Sequence, residues 1–260
     1  MFMRFFALSD IHVDYSENLD WIEAVSSDKY RNDVLILAGD ATDDLVLLER
    51  ILSGLRVKFS SVLFVPGNHE LWLREEDVDC SLEKFSIIKK LCQSLGVETD
   101  VAHFGEVSVV PLHSWYDFSF GQPSRHLLRA WRDFRECRWP GFLDGAEAIN
   151  KHFLAMNTDR LGVSNDKVIS FSHFMPRIDL MPERIPEKRK IVYPVLGSES
   201  LGKQVSQLNP DIHIYGHSHV NRNIEVDDIC YVNNAFAYPS EENISRKKLY
   251  CVLNTNSKPS

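Results

Sequence analysis

Five short segments of the chain gather side chains that can hold metal ions: Ser9-Asp10-Ile11-His12, Gly39-Asp40, Gly67-Asn68-His69-Glu70, Ser172-His173 and Gly216-His217-Ser218-His219. Carboxylate and amide oxygens mixed with imidazole nitrogens suit manganese, iron or zinc. A carboxylate placed between two such ions can bridge them and offset their mutual repulsion. Two ions about 3.5–4 Å apart can hold a phosphate and activate a bridging hydroxide for in-line attack. Metal binding lowers the pKa of water toward about 7, so the nucleophile exists at neutral pH. None of the segments needs a cysteine. The thiols Cys80, Cys92, Cys137, Cys230 and Cys251 are scattered without a C-x-x-C pair, which argues against a structural zinc site or a disulfide framework. Reduced thiols in a cytoplasmic setting are the simpler expectation.

Segments so far apart in sequence need a scaffold that brings them together. Each follows an apolar, β-rich run, and such runs suit buried strands. The runs are 4–8, 34–38, 62–65, 167–171 and 211–215, with further strands expected at 107–112, 229–232 and 249–253. The last two leave little room for a helix between them and read as antiparallel additions. Leu45, Leu48, Leu52 and Leu55 repeat at helical spacing. Ser81 is placed to cap a second helix with the apolar face Phe85, Ile88, Leu91 and Leu95, and Gly96 to end it. Strand-helix alternation points to an α/β sheet. In open α/β sheets the carboxyl edge of the strands is where sites form, so all five segments are expected on one surface.

The ordered set D-x-H, GD, GNHE, H and GHSH resembles the calcineurin-like metallophosphoesterase superfamily. It runs from Asp10 to His219, most of the chain. The resemblance implies a four-layer α/β/β/α sandwich of two mixed sheets flanked by helices, in a single domain over 1–260. It implies two divalent or trivalent ions (manganese, iron or zinc). One takes Asp10, His12 and His219, and the other Asn68, His173 and His217, with Asp40 bridging. His69 would act as the catalytic proton donor, a task its residue type suits independently. Glu70 and Asp43, and equally Asp14, are candidates for orienting the ligands. The expected activity is hydrolysis of a small phosphorylated molecule by a metal-bridging hydroxide, with nucleotide or cyclic-nucleotide diester cleavage as the alternative. The superfamily's Ser/Thr protein phosphatases carry Asp-Arg-Gly after GD and an Arg before GNHE. Here Ala41-Thr42-Asp43 follows Asp40 and Pro66 precedes Gly67, so both arginines are missing. A non-catalytic scaffold such as the retromer subunit lacks the histidine that stands here as His69.

Stretch 113–141 lies outside these motifs. It carries Trp115, Tyr116, Trp131 and Trp139 with Arg125, Arg129, Arg132, Arg135 and Arg138. Residues 124–136 read as one helix with Leu127, Trp131 and Phe134 on one face and arginines opposite. The stretch is a candidate cap over the site, with Arg125, Arg129 and Arg132 as possible phosphate contacts, since the guanidinium fork suits phosphate. Arg177 and His113, which follows the strand 107–112, are further candidates. A net charge of −8 on 260 residues gives no support to broad nucleic-acid binding. No apolar run approaches the roughly 20 residues that span a bilayer. The pattern does not set an oligomeric state.

Overall fold

The computed structural model describes residues 3–74 and 78–255. In chain order its elements are β1 (Arg4–Leu8), α1 (Ser16–Glu23), β2 (Val34–Leu37), α2 (Leu45–Lys58), β3 (Ser61–Phe64), α3 (Ser81–Leu95), β4 (Ala102–Phe104), β5 (Val107–Pro111), α4 (Arg125–Ala130), α5 (Asp133–Glu136), α6 (Gly145–Ala155), β6 (Lys167–Phe171), α7 (Glu199–Leu208), β7 (Ile212–Tyr215), β8 (Arg222–Val226), β9 (Ile229–Asn233) and β10 (Tyr250–Asn254), with short 3-10 turns between them. Among the described residues the strands form two sheets, ordered β10-β1-β2-β3 and β4-β5-β6-β7-β9-β8. Both are mixed. β1, β2 and β3 run parallel, with β10 antiparallel on the edge. In the second sheet β5, β6, β7 and β9 run parallel between the antiparallel edges β4 and β8.

Period-2 alternation assigns each strand's side chains to two layers. Phe5, Ala7, Val34, Ile36 and Leu63 meet Val109, Ile169, Phe171 and Ile214 between the sheets. The intervening Phe6, Leu8, Leu35, Leu37 and Phe64 face outward onto Leu48, Leu52, Phe85 and Ile88 of α2 and α3. On the far side Val110, Val168, Tyr215 and Tyr231 pack under Leu201 and Val205 of α7. The result is two mixed sheets flanked by helices, as the motifs imply.

Several local expectations need correction. β9 and β10 belong to different sheets, and β9 is parallel to β7, because β8 intervenes as the antiparallel edge. Ser81 is the first residue of α3 and does not cap it; its hydroxyl donates to the Leu71 carbonyl at 2.8 Å. Gly96 does end α3, in the left-handed conformation. The single helix expected over 124–136 is two. Ser124 caps α4, the chain turns extended at Trp131, and α5 begins two residues later. The break turns Asp133 inward, where it is buried, and leaves Phe134 39% exposed.

Candidate metal centre

The segments after β1, β2, β3, β6 and β7 meet at the carboxyl edges of the two sheets. Backbone bonds stitch them together: Asp10 N–H to Gly39 O at 2.9 Å, His12 N–H to Asp40 O at 3.1 Å and Gly216 N–H to His173 O at 2.9 Å. A bridge between Ser9 and Ala235 joins the sheets at the same edge. Glycine permits the approach. A Cβ on Gly67 would lie 2.2 Å from Asp40 Oδ1, and one on Gly39 would lie 2.6 Å from His173 Nδ1.

Three overlapping groups of ligand atoms result: Asp10, His12 and His219; Asp40, His173 and His217; and His12, Asp40 and His69. Asp40 and His12 each belong to two. In the first group His219 Nε2 sits 3.1 Å from His12 Nε2 and 3.3 Å from Asp10 Oδ1. In the second His173 Nε2 lies 3.0 Å from Asn68 Oδ1, 3.0 Å from His217 Nδ1 and 3.4 Å from Asp40 Oδ2. Asp10, His12, Asp40, Asn68, His173 and His217 are all buried. Outer partners aim the rings. His173 Nδ1 is 2.9 Å from Ala38 O, His217 Nε2 is 3.0 Å from Val195 O, and His219 Nδ1 is 2.6 Å from Glu241 Oε2. An imidazole whose far nitrogen donates to an oxygen presents the other nitrogen's lone pair, the usual arrangement of a metal-ligating histidine.

The electrostatics call for positive charge at the first two groups. Burial opposes ionisation of Asp10, but His219 and His173 outweigh it and hold the carboxyl below its usual value. Asp40 is held lower still against burial by His173 and His69. Conversely, burial disfavours charge on His173 and His219, yet Asp40 lifts the first to about 9, and Asp10 with Glu241 lifts the second to about 10. Burial keeps His217 neutral, down at about 3, and pushes His12 well below its normal value. Each group thus draws one proton to a histidine beside a carboxylate. A divalent ion supplies that charge with a better match to several lone pairs, so the donor set fits two ions.

A cavity of about 380 Å³ opens above these residues. Asp40, Asn68, His69, His217 and His219 form its floor, Trp72, Trp131, Val192, Leu196 and Tyr238 its apolar walls, and Arg132 is the one lysine or arginine among the described residues that line it. The Arg132 guanidinium lies over the Trp72 ring at 4.1 Å and 3.6 Å from Glu136. His69 packs on Trp72 with ring centroids 3.6 Å apart, and its Nε2 is 3.8 Å from Asp40 Oδ2. Burial lowers the His69 pKa against the pull of Asp40, so the ring is neutral near pH 7.

The remaining candidates fall elsewhere. Glu70 is fully buried and accepts N–H bonds from Asp40, Ala41, Thr42 and Gly67 at 2.6–3.2 Å, so it locks the GD and GNHE loops together. Asp43 pairs with Arg74, and Asp14 accepts from Thr42; neither reaches a ligand side chain. His113 does not face the cavity. Its backbone is bound by the Asn157 amide and its ring packs on Phe85, beside a small inner void. Arg125 and Arg129 are exposed and line no part of the cavity. Arg177 pairs with Asp179 and Asp227 beside a separate cavity. Two residues not anticipated are Glu241, which holds His219, and Asp133, which accepts from Asn68 Nδ2 at 2.9 Å. Glu241 has no motif around it. Asp133 is disguised by the arginines that flank it.

Comparison with known proteins identifies a family and a fold. The model of the calcineurin-like phosphoesterase family matches residues 3–221. Over 123 residues the chain is 31% identical to the acyl-carrier-protein phosphodiesterase PptH of Mycobacterium tuberculosis, a match covering 44% of this chain and 38% of that protein. The crystal structure of the phosphopantetheinyl hydrolase PptH from Mycobacterium tuberculosis superposes with a TM-score of 0.79 at 24% identity, over 100% of this chain and 99% of that one. At that identity the superposition speaks to the fold. No helix among the described residues is long and apolar enough to cross a membrane.

Proposed function

This chain belongs to the calcineurin-like phosphoesterase family, and from that premise we propose that it hydrolyses a phosphodiester. One ion would be held by Asp10, His12 and His219, the other by Asn68, His173 and His217, with Asp40 between them. Manganese, iron or zinc suits that donor set. Bound there, the ions supply charge for the phosphoryl oxygens and a nucleophile at neutral pH.

The observation that carries the diester reading is the shortage of cations around the ligand groups. Among the described residues Arg132 is the one lysine or arginine lining the cavity. The arginines that the protein phosphatases carry after GD and before GNHE are missing: Ala41-Thr42-Asp43-Asp44 follows Asp40, and Pro66 precedes Gly67. A phosphomonoester brings up to two negative charges and a diester one, so this wall suits the diester. The apolar rings of Trp72, Trp131 and Tyr238 suit an organic group on its far oxygen. The partial match to an acyl-carrier-protein phosphodiesterase favours a phosphopantetheinyl arm on a carrier protein as that substrate. This departs from the small phosphorylated molecule expected from sequence, because the organic group would be carried on a protein.

His69 reaches the cavity floor from outside the two ligand sets, and its neutral ring can donate an N–H hydrogen bond to the charge that develops on the leaving oxygen. Glu70 keeps the two loops in register, and Trp72 backs the His69 ring.

The test compares bis(p-nitrophenyl) phosphate, p-nitrophenyl phosphate and a phosphopantetheinylated carrier protein, using manganese-loaded protein. Diester cleavage should exceed monoester cleavage at least tenfold in kcat/KM, with the carrier protein cleaved as well. Faster monoester turnover, or no turnover of either ester by metal-loaded protein, would overturn the proposal.

A further inference from the structure

We propose that Asp133 is a positioning residue that ties the insert 113–141 to the metal centre. Seating of the insert and binding of the ion at Asn68, His173 and His217 then favour one another. The inference rests on the metal reading above and concerns a residue outside all five motif segments.

Asp133 is 3% exposed. Its Oδ1 accepts from Asn68 Nδ2 at 2.9 Å and from Trp72 Nε1 at 2.7 Å, and its Oδ2 accepts from Trp131 Nε1 at 2.7 Å. The three donors come from different places: a ligand amide, the segment just after GNHE, and the insert itself. No lysine or arginine pairs with Asp133 among the described ion pairs, so these N–H groups, with the neighbouring Tyr116 hydroxyl, are what keep a buried carboxylate satisfied.

The contact with Asn68 carries the most weight. A side-chain amide has an oxygen end and a nitrogen end, and a metal position needs the oxygen. Asn68 Oδ1 lies 3.0 Å from His173 Nε2, on the ligand side. By taking the NH₂ group, Asp133 fixes the amide in that sense. The same carboxylate sets both indole rings of the cavity wall. Trp72 carries Arg132 on its face, and Trp131 packs edge-on to His217 with centroids 5.9 Å apart. A shift of the insert therefore moves Asp133, and with it the amide that must meet the ion. Linkage makes the effect reciprocal: an ion that requires the Asn68 oxygen favours the seated insert.

The experiment is hydrogen exchange of segment 125–136 in the whole protein, with and without manganese, against segment 199–208 as a control on the far layer. Exchange in 125–136 should slow about fivefold or more on metal binding, with a smaller change in 199–208. In Asp133→Asn that slowing should vanish. One of the two ions should bind about 10–100-fold more weakly in this variant and the other as before. A purely structural role would instead lower the melting temperature and affect both ions alike. Should Asp133→Asn not fold, Trp131→Phe keeps an aromatic, if smaller, ring and removes one donor to Asp133; it should speed exchange in 125–136 and weaken one ion while the other binds as before, and faster exchange with both ions bound as in wild type would overturn the linkage. Two bound ions with no change in the insert's exchange, in wild type, would overturn the proposal alone. A protein that takes up no ion would overturn the metal reading with it.

Discussion

Gly67→Ala is the smallest change that should dismantle the site, and its size can be worked from the geometry. The new methyl would lie 2.2 Å from Asp40 Oδ1 and 2.8 Å from His173 Cγ and Cε1. Comfortable contact begins near 3.5 Å, so the carboxylate or the loop must give way by about 1 Å. Metal-ligand distances tolerate only about 0.2 Å. Asp40 Oδ1 also accepts the His69 N–H at 3.0 Å, a bond to a charged group that the same movement breaks. Overpacking at about 1–3 kcal/mol and the lost bond at about 1.5–3 kcal/mol give a destabilisation of about 2.5–6 kcal/mol. Because Asp40 stands in two of the three ligand groups, both ions should be lost on dialysis. The control is Gly54→Ala in α2, where a Cβ meets nothing within 4 Å. There the helical glycine is merely a poor helix former, and alanine should stabilise by about 0.5–1 kcal/mol. Urea denaturation and metal content of the dialysed proteins measure both effects. A Gly67→Ala protein of wild-type stability that keeps two ions would refute the reasoning.

Acidity should act on the site and the core in the same direction. His173 and His219 stand at about 9 and 10, so below those values each must lose a proton before it can ligate. Metal affinity should then rise about tenfold per pH unit per ion between pH 6 and 8, checked by titration calorimetry. With no ion bound the linkage reverses: raised histidine pKa values add stability below about pH 6.5 that is lost as pH climbs through 9–10, visible in denaturation of metal-stripped protein. His213, buried between Ser170 and Ser172, is pushed down to about 3 by burial. A lowered histidine pKa gives stability that is present above about 6.5 and drains as pH falls toward 3. The wild type should lose about 3 kcal/mol more than His213→Gln between pH 7.5 and 4.5. His69→Ala should keep both ions and lose about a hundredfold or more in turnover; loss of an ion would make His69 a ligand.

The sequence makes the centre of the site legible because ligation demands particular residue types at strand ends. What lies around the centre was harder to read, for physical reasons. β4 is three residues, Ala-His-Phe, too short for any alternation. β8 is a half-exposed edge, Arg-Asn-Ile-Glu-Val, whose polar positions look like a loop. The insert misled through its own regularity. Its arginine spacing suggests one amphipathic helix with cationic contacts, but the chain breaks at Trp131, sends Asp133 inward and leaves Arg132 alone of that row on the cavity. His113 follows a strand as the ligands do. It comes after β5, however, and lines a small inner void together with Phe85 and Trp115.

One property of the ligands bears on why these residue types recur at these turns. Asp10, His12, Asp40, His217 and His219 all have positive φ, between 46° and 65°. Such backbone strain costs on the order of 1–3 kcal/mol per residue, and five of them approach the net stability of a typical domain. Asp and His are among the side chains that visit this region most readily, which keeps the cost toward the lower end. The turns are also over-determined. The Asp10 carboxylate accepts the His217 N–H at 3.0 Å, and its carbonyl accepts Ala237 N–H at 2.8 Å. Glu70 accepts N–H groups from both the second and the third turn. Hydrogen bonds between loops thus hold a geometry that no loop would keep alone. Damage to Asp10 or Glu70 should therefore spread to ligands on other strands, whereas damage to His69, which holds no other loop's backbone, should stay local to the chemistry.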